Sequence, residues 1–249
     1  MILITRLKKD NKTIKEILES KNIQSLEQPL YKIKHFSKTI SAKEKKIFIV
    51  ASYQSIKTIA LKKNYQNIKS SLFFAVGSRT YLALKELKLK VKLVANDSNE
   101  LLKKIKSNRK FQGYSYEYLS GNVYNKKFLA SMKKLKKKIN VNIIYELLPS
   151  VQLNNKTIKS INEDKIKVVM ILSNFVGYIF LTLCKKHKIK KSTLRKIKFV
   201  TMSKNSASHL LAYGLKVSWP KSTKLNRVIL IAQGLNKKVW YFYHIRFLT

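Results

Sequence analysis

The chain has 249 residues, enough for one large domain or two small ones, and its 45% hydrophobic content is ample for packed cores. A single cysteine, Cys184, excludes an internal disulfide and any paired-cysteine metal site, and the four histidines, His35, His187, His209 and His244, lack ligand spacing. The formal charge of +41 is spread along the chain, so any cleft will be positive and will favour an anionic ligand.

The predicted elements begin with "MILITR", a short apolar run of the kind buried on both faces of a parallel sheet. "KTIKEILESK" then places Ile14, Ile17 and Leu18 on one helical face. "SLEQPLYKIKHF" is extended, and Pro29 confines it to an edge strand or connector. From Lys46 strands and helices alternate. "KIFIVAS", "SLFFAVG", "VKLVA", "YSYEYLSG" and "VNIIYELLP" read as strands. "SIKTIALKK", "RTYLALKEL", "NELLKKIKS" and "NKKFLASMKKLKKK" are the helices between them. "PSVQLNN" resembles a connector. The cycle restarts with strands "IKVVMILS", "KIKFVTMS" and "LKVSW" and helices "GYIFLTLCKK", "SASHLLAYG" and "TKLNRVILIAQ". The closing "LNKKVWYFYHIRFLT" fits no copy of the unit.

Two long features have simpler readings than their composition suggests. The basic peak "KKLKKK" (Lys133 to Lys138) follows Phe128, Leu129, Met132, Leu135 and Ile139 at helical spacing, so it reads as a solvated helix face. A nucleic-acid surface is the alternative, since lysines gain affinity by counterion release; only "KKVWYFYHIR" interleaves aromatics with basics. The apolar run from Val168 to Cys184 approaches the lower length of a membrane span. Its counterpart, Ile47 to Lys63, has the same order of residues but is too polar to span. Both read as buried strand, tight turn and helix, and no signal peptide is visible at the start.

Phe73 to Val91 ("FFAVGSRTYLALKELKLKV") and Phe199 to Val217 ("FVTMSKNSASHLLAYGLKV") align without a gap, sharing the first Phe, Leu84 with Leu210, and "LKV" at the end. Two copies are too few for a repeat array, so two similar α/β domains are expected. Residues 1–36 and 156–249 would form one discontinuous domain, residues 42–148 an inserted one, and residues 37–41 and 149–155 the connectors.

In such sheets ligands sit beyond the carboxyl ends of the strands. The turns there hold Ser52, Tyr53 and Gln54; Gly77, Ser78, Arg79 and Thr80; Ser120, Gly121 and Asn122; Ser173 and Asn174; and Ser203, Lys204, Asn205 and Ser206. Small polar residues opening helices are ordinary caps. They also border free backbone N–H groups that bind carboxylate or phosphate. The sequence lacks a G-x-G-x-x-G after a strand, a Walker lysine loop, a G-x-S-x-G elbow and a close carboxylate pair. Any chemistry here should rest on orientation and charge neutralisation, with no cofactor and no metal.

The order "ILITR", "IFIVASYQSI", "FFAVGSRTYLAL", "YLSGN", "VNIIYELLP", "VVMILSNFVG" and "FVTMSKNSASHLLAYGL" resembles the uroporphyrinogen-III synthase family over residues 2 to 232. The resemblance implies two flavodoxin-like parallel-sheet domains, a two-stranded connector and an active-site cleft between the domains. It implies a cytoplasmic, monomeric hydro-lyase that closes linear hydroxymethylbilane, a tetrapyrrole with eight carboxylates, into uroporphyrinogen III with inversion of ring D. Transient contact with the preceding pathway enzyme is implied as a partner interaction. Tyr145 matches the family's "VY" tyrosine, a candidate acid for the departing hydroxyl. Ser52 and Ser173 match the serines of its two "FTS" turns. Gly77 and Thr80 match "VGxxT", with Ser78 between them; Gly121 matches the glycine turn; Ser206 matches the second-copy threonine, with Ser203 and Asn205 in the same turn; Arg6 matches "TR". The chain departs from the family at Ala51 and Leu172 (threonine), at Ser203 and Lys88 (glycine) and at Ser120 (arginine).

Overall fold

A computed structural model describes residues 1–42, 45–222 and 224–237. The chain divides into two compact units: Met1–Lys32 with the chain from Leu148 onward, and Ile33–Leu147. In chain order the elements begin with β1 (Ile2–Ile4), α1 (Lys8–Glu19), β2 (Ser25–Glu27) and β3 (Tyr31–His35). Next come β4 (Lys46–Val50), α2 (Ser55–Ile59), α3 (Lys62–Ile68), β5 (Leu72–Val76), α4 (Ser78–Glu86), β6 (Lys90–Ala95), α5 (Ser98–Ser107), β7 (Ser115–Gly121), α6 (Lys126–Lys134) and β8 (Ile139–Pro149). The chain then continues through α7 (Asn155–Asn162), β9 (Val168–Met170), α8 (Asn174–Lys186), α9 (Lys191–Lys196), β10 (Lys198–Val200), α10 (Lys204–Ala212), β11 (Val217–Ser218) and α11 (Leu225–Lys237). The aromatic tail singled out in the sequence lies, from Lys238 onward, outside the described residues.

The first unit holds a five-stranded sheet in the order β11-β10-β9-β1-β2, with parallel pairs throughout. Numbered within the unit this is 2-1-3-4-5, the flavodoxin-like doubly wound order. The strands are apolar at every inner position because alternate residues face opposite helix layers. Leu3, Val169 and Phe199 pack with Phe180 and Leu183 of α8. Ile2, Ile4, Val168, Met170 and Val200 pack with Ile14 and Leu18 of α1 and with Val228 and Ile229 of α11. The apolar run from Val168 to Cys184 is therefore β9 followed by most of α8. Among the described residues no helix is long and apolar enough to cross a membrane.

The second unit belongs to a six-stranded sheet, β3-β8-β7-β4-β5-β6, whose pairs from β8 through β6 are parallel. Order reverses between β4 and β7, the kind of position at which doubly wound sheets open a crevice. Phe48, Val50, Phe73 and Leu119 face Ile59, Ile68 and Leu84. Ile47, Ile49, Phe74 and Tyr116 face Leu101, Ile105, Phe128 and Met132.

Local expectations change at three places. The helix read through "NKKFLASMKKLKKK" ends at Lys134, because Lys136 turns left-handed and Ile139 opens β8, so only Lys133 and Lys134 of the basic peak lie on it. The helix read through "SIKTIALKK" breaks at Leu61, whose ψ of 129° is extended. The buried Asn64 enforces the break: its amide donates to the carbonyls of Thr58 and Lys38 and accepts the Ile40 N–H. The extended segment around Pro29 is two strands, β2 and β3, in different sheets.

The helix ends explain how a chain with six glycines keeps this fold. Helices α4, α6, α7, α8 and α10 each end on a left-handed residue: Lys88, Lys136, Asp164, Lys188 and Gly214. The next N–H in each case reaches back to the last turn, as Leu89 does to the Leu84 carbonyl at 3.1 Å. This is the cap that glycine usually supplies, since a Cβ is disfavoured at positive φ. Lys88 sits at φ 55°. We expect Lys88→Gly to raise stability by about 0.5–1 kcal/mol, the Cβ penalty less the entropy glycine adds to the unfolded chain. Urea unfolding should show a higher midpoint at unchanged slope; an unmoved midpoint would mean the lysine is unstrained.

Candidate active site

Parallel pairing delivers every strand's carboxyl end to the same edge, so the register decides which turn residues stand side by side. In the second unit Val50 is level with Ala75 of β5 and Leu119 of β7, and Gly121 is level with Tyr145 of β8. Continuing two residues past Val50 brings Ser52, Gly77, Gly121 and Tyr145 into one row across four strands.

Tyr145 is the centre of this row. Its side chain is 4% exposed. Burial pushes its phenol above the ordinary value, while hydrogen bonds from the Ser52 side chain and the Gly121 backbone N–H oppose that rise. Gly121 is there for space. Its φ is not in the left-handed region, but a Cβ would lie 2.3 Å from Cε2 and 2.7 Å from Cζ of Tyr145. The ring thus lies against the bare α-carbon, and the register of β7 against β8 shifts between Ser120 and Gly121. Ser52 Oγ also accepts the Gln54 N–H at 3.2 Å, which fixes its turn.

Gly77 differs in kind. It sits at φ 86°, ψ 139°, where a side chain is strained, and a Cβ there would meet nothing within 4 Å. It precedes α4 and gives that helix no side-chain cap. Ser78 is exposed, and Thr80 is buried at 4% exposure. With no side-chain cap, the start of α4 is a helix N-terminus of the kind that attracts anions.

In the first unit Ile4 and Val200 are both level with Met170. Two residues further Arg6 stands at the same end, and three further Ser173 is level with Ser203. Both serines cap their own helices. Ser173 Oγ accepts the Val176 N–H, and Ser203 Oγ accepts the Ser206 N–H, each at 3.3 Å. The Ser203 and Ser206 hydroxyls also share a 3.2 Å hydrogen bond. Asn205 is exposed. Arg6 pairs with Asp10 at 2.9 Å, so part of its charge is already answered.

Two neighbours of the Tyr145 row were given no role of their own in the sequence, although Arg79 was named there as a turn residue. The His35 ring centroid is 6.1 Å from that of Tyr145, and burial, then Lys57, hold its pKa below the usual histidine value. The guanidinium of Arg79 lies 4.0 Å over the ring of Tyr53, the residue after Ser52. Neither belongs to a motif; only three-dimensional packing marks them. On the other face of β7, Tyr118 is pushed up to about 12, first by burial and then by the nearby Tyr145, with Ser120 opposing. Open grooves of about 720 and 330 Å³ lie elsewhere in the second unit, with Lys92, Lys110, Lys136 and Lys138 among their lining residues and no acid–base pair. Among the described residues no group of three or more His, Cys, Asp or Glu stands together as a metal site.

The sequence profile of the family described as uroporphyrinogen-III synthase HemD matches residues 12–229. No curated protein sequence matches the chain closely. Among solved structures, a mutant uroporphyrinogen III synthase from Thermus thermophilus is similar with a TM-score of 0.62 and 14% identity, over 95% of this chain and 97% of that one. A uroporphyrinogen-III synthetase from Helicobacter pylori is similar with a TM-score of 0.62 and 13% identity, over 94% and 98%. At such identity the structural likeness speaks for the fold, two α/β domains with parallel sheets.

The raised phenols set a pH dependence. Folding lifts the pKa of Tyr118 and Tyr145, so the stability tied to their protonated forms is complete below about pH 10, the unfolded value. It is lost as pH rises through the folded values. Stability measured from about pH 9 to about pH 12 should fall, and Tyr118→Phe or Tyr145→Phe should each flatten the fall against the common lysine background. Gly121→Ala should displace the ring and move the Tyr145 titration back toward about 10 in ultraviolet difference spectra. An unchanged titration would mean that the ring does not depend on the missing Cβ.

Proposed function

The chain belongs to the uroporphyrinogen-III synthase family, cyclising hydro-lyases of tetrapyrrole biosynthesis, and from that premise we propose that it closes hydroxymethylbilane with Tyr145 as the acid. One observation carries the assignment: the buried Tyr145 ring lies against the bare Gly121 α-carbon, in the row that Ser52 joins at the carboxyl end of its sheet.

The substrate is a small tetrapyrrole, and its linear form carries eight carboxylates. Tyr145 donates its proton to the terminal hydroxymethyl oxygen, the C–O bond breaks, and water leaves an azafulvene cation. The tyrosinate is held by the Gly121 N–H and the Ser52 hydroxyl. Ring D attacks through its substituted carbon to give a spiro intermediate. Rearrangement moves the bond to the free carbon, and the proton lost there restores the phenol. Net change is one water released. A phenol whose pKa is above 10 stays protonated at neutral pH, yet is far more acidic than water at about 15.7. Proton transfer to a departing hydroxide is therefore downhill.

Binding falls to the positive turns in this reading. The open amides beyond Gly77 with Ser78 and Thr80, and Arg6, Ser173, Ser203, Asn205 and Ser206 in the other unit, take substrate carboxylates. Holding a flexible chain so that its ends meet supplies much of the rate, as proximity effects do. The enzyme works as a monomer in the cytoplasm, without a cofactor, and touches the preceding pathway enzyme as substrate passes.

Hydroxymethylbilane supplied to the protein should give isomer III ahead of the spontaneous isomer I. Only isomer I at the uncatalysed rate would end this reading. Tyr145→Phe should lower kcat about a hundredfold, the usual worth of a positioned acid, with thermal unfolding near pH 7 little changed. Equal turnover would remove Tyr145 from the chemistry.

A further inference from the structure

We propose that Arg79 is a carboxylate-binding residue of the Tyr145 site, set in place by its stack on Tyr53. The proposal rests on the cyclase reading for the identity of the ligand and on geometry for the place.

Ser52 and Gly77 are neighbours in the row that ends at Tyr145. Tyr53 follows Ser52, and Arg79 lies two residues beyond Gly77, so their contact bridges the turns after β4 and β5. The Arg79 Cζ is 4.0 Å from the Tyr53 ring centre. A guanidinium over a ring uses its flat face for the contact and leaves its in-plane N–H donors free. Those donors match a carboxylate as a two-pronged fork. Among the described residues no carboxylate pairs with Arg79, in contrast to Arg6, which is engaged by Asp10. The space above Gly77 is open, with nothing within 4 Å of where a Cβ would sit. An oriented cation with no carboxylate partner at the rim of an open turn, stacked on the residue that follows Ser52, is placed to hold an acetate or propionate arm of the ring that reacts.

The bland alternative is a surface stack, in which Arg79 merely covers a tyrosine that is 36% exposed. A second is that Arg79 adds only one more charge to a protein at +41. Steady-state kinetics with hydroxymethylbilane separates all three. Arg79 is exposed, so its variants should fold, and thermal unfolding checks that they do. Arg79→Gln should raise KM about tenfold with kcat changed much less, the worth of a charge-assisted hydrogen bond made in both ground and transition states. Arg79→Lys keeps charge but loses the fork, and should recover only part of the loss. Tyr53→Leu should raise KM in wild-type protein and have little further effect in the Arg79→Gln background. Lys106→Gln, an exposed lysine on α5, controls for overall charge. An unchanged KM in Arg79→Gln, full rescue by lysine, or an equal rise in Lys106→Gln would each overturn the proposal. Formation of isomer III by the unaltered protein shows independently whether the cyclase reading stands.

Discussion

The phenol ring of Tyr145 rests on an α-carbon that carries nothing, and the candidate chemistry of the second unit follows from that contact. With a methyl group at position 121, heavy atoms would approach to 2.3 Å, far inside contact distance. Only without it does the ring lie this low against the strand, where the Ser52 side chain and the Gly121 backbone oppose the rise that burial gives its pKa. The register does the rest. Because β4, β5, β7 and β8 run parallel with these pairings, Ser52, Gly77, Gly121 and Tyr145 arrive at one level without any residue reaching across the sheet. The site is thus a property of strand alignment, and the apolar runs that fix the alignment are part of the site's construction.

Much of this was legible in the sequence because it is periodic. The alternation of apolar runs with helical spacing gave the strands of both sheets, and the gapless match of Phe73–Val91 to Phe199–Val217 gave two domains. Turn residues after strands could be named because parallel topology sends them all to one edge. What escaped was held by single side chains. Nothing in "SIKTIALKKNYQNI" announces that Asn64 will turn inward and break the helix. Helix α7 was missed because it is short, and its start rests on Asn154, which accepts the Thr157 N–H. His35 and Arg79 belong to no motif, and their importance comes from rings at 6.1 and 4.0 Å. Gly121 was named from its turn, but the room it leaves for a ring needed the partner tyrosine to be seen.

The departures from the family pattern acquire physical meanings. Serine in place of glycine at position 203 adds no backbone strain, since φ is −165°, extended backbone open to any residue. Its hydroxyl instead caps α10. Lysine at position 88 does sit left-handed and carries a Cβ cost, as Lys136 and Lys188 do. Losses of threonine at Ala51 and Leu172 remove hydroxyls but leave the backbone amides of the turns in place, because those depend on strand ends and helix starts. Lysines thus stand on solvated faces and even at helix ends, while the turns beyond the strands hold small residues.

A chain so cationic raises a question about any reaction that passes through a carbocation. A lysine or protonated histidine beside the reacting carbon would repel an azafulvene cation as it forms. In the mechanism proposed above Tyr145 avoids this, because it starts neutral and becomes negative when its proton goes to the leaving hydroxyl. The charge it acquires lies beside the cation at the moment the cation appears. His35, held below its usual pKa by burial and Lys57, adds no positive charge there at neutral pH. The surrounding lysines and Arg79 are then kept for the substrate's carboxylates, whose charge does not change during the reaction. In the proposed cyclisation, constant positive charge serves binding, and the one charge that changes is negative and transient.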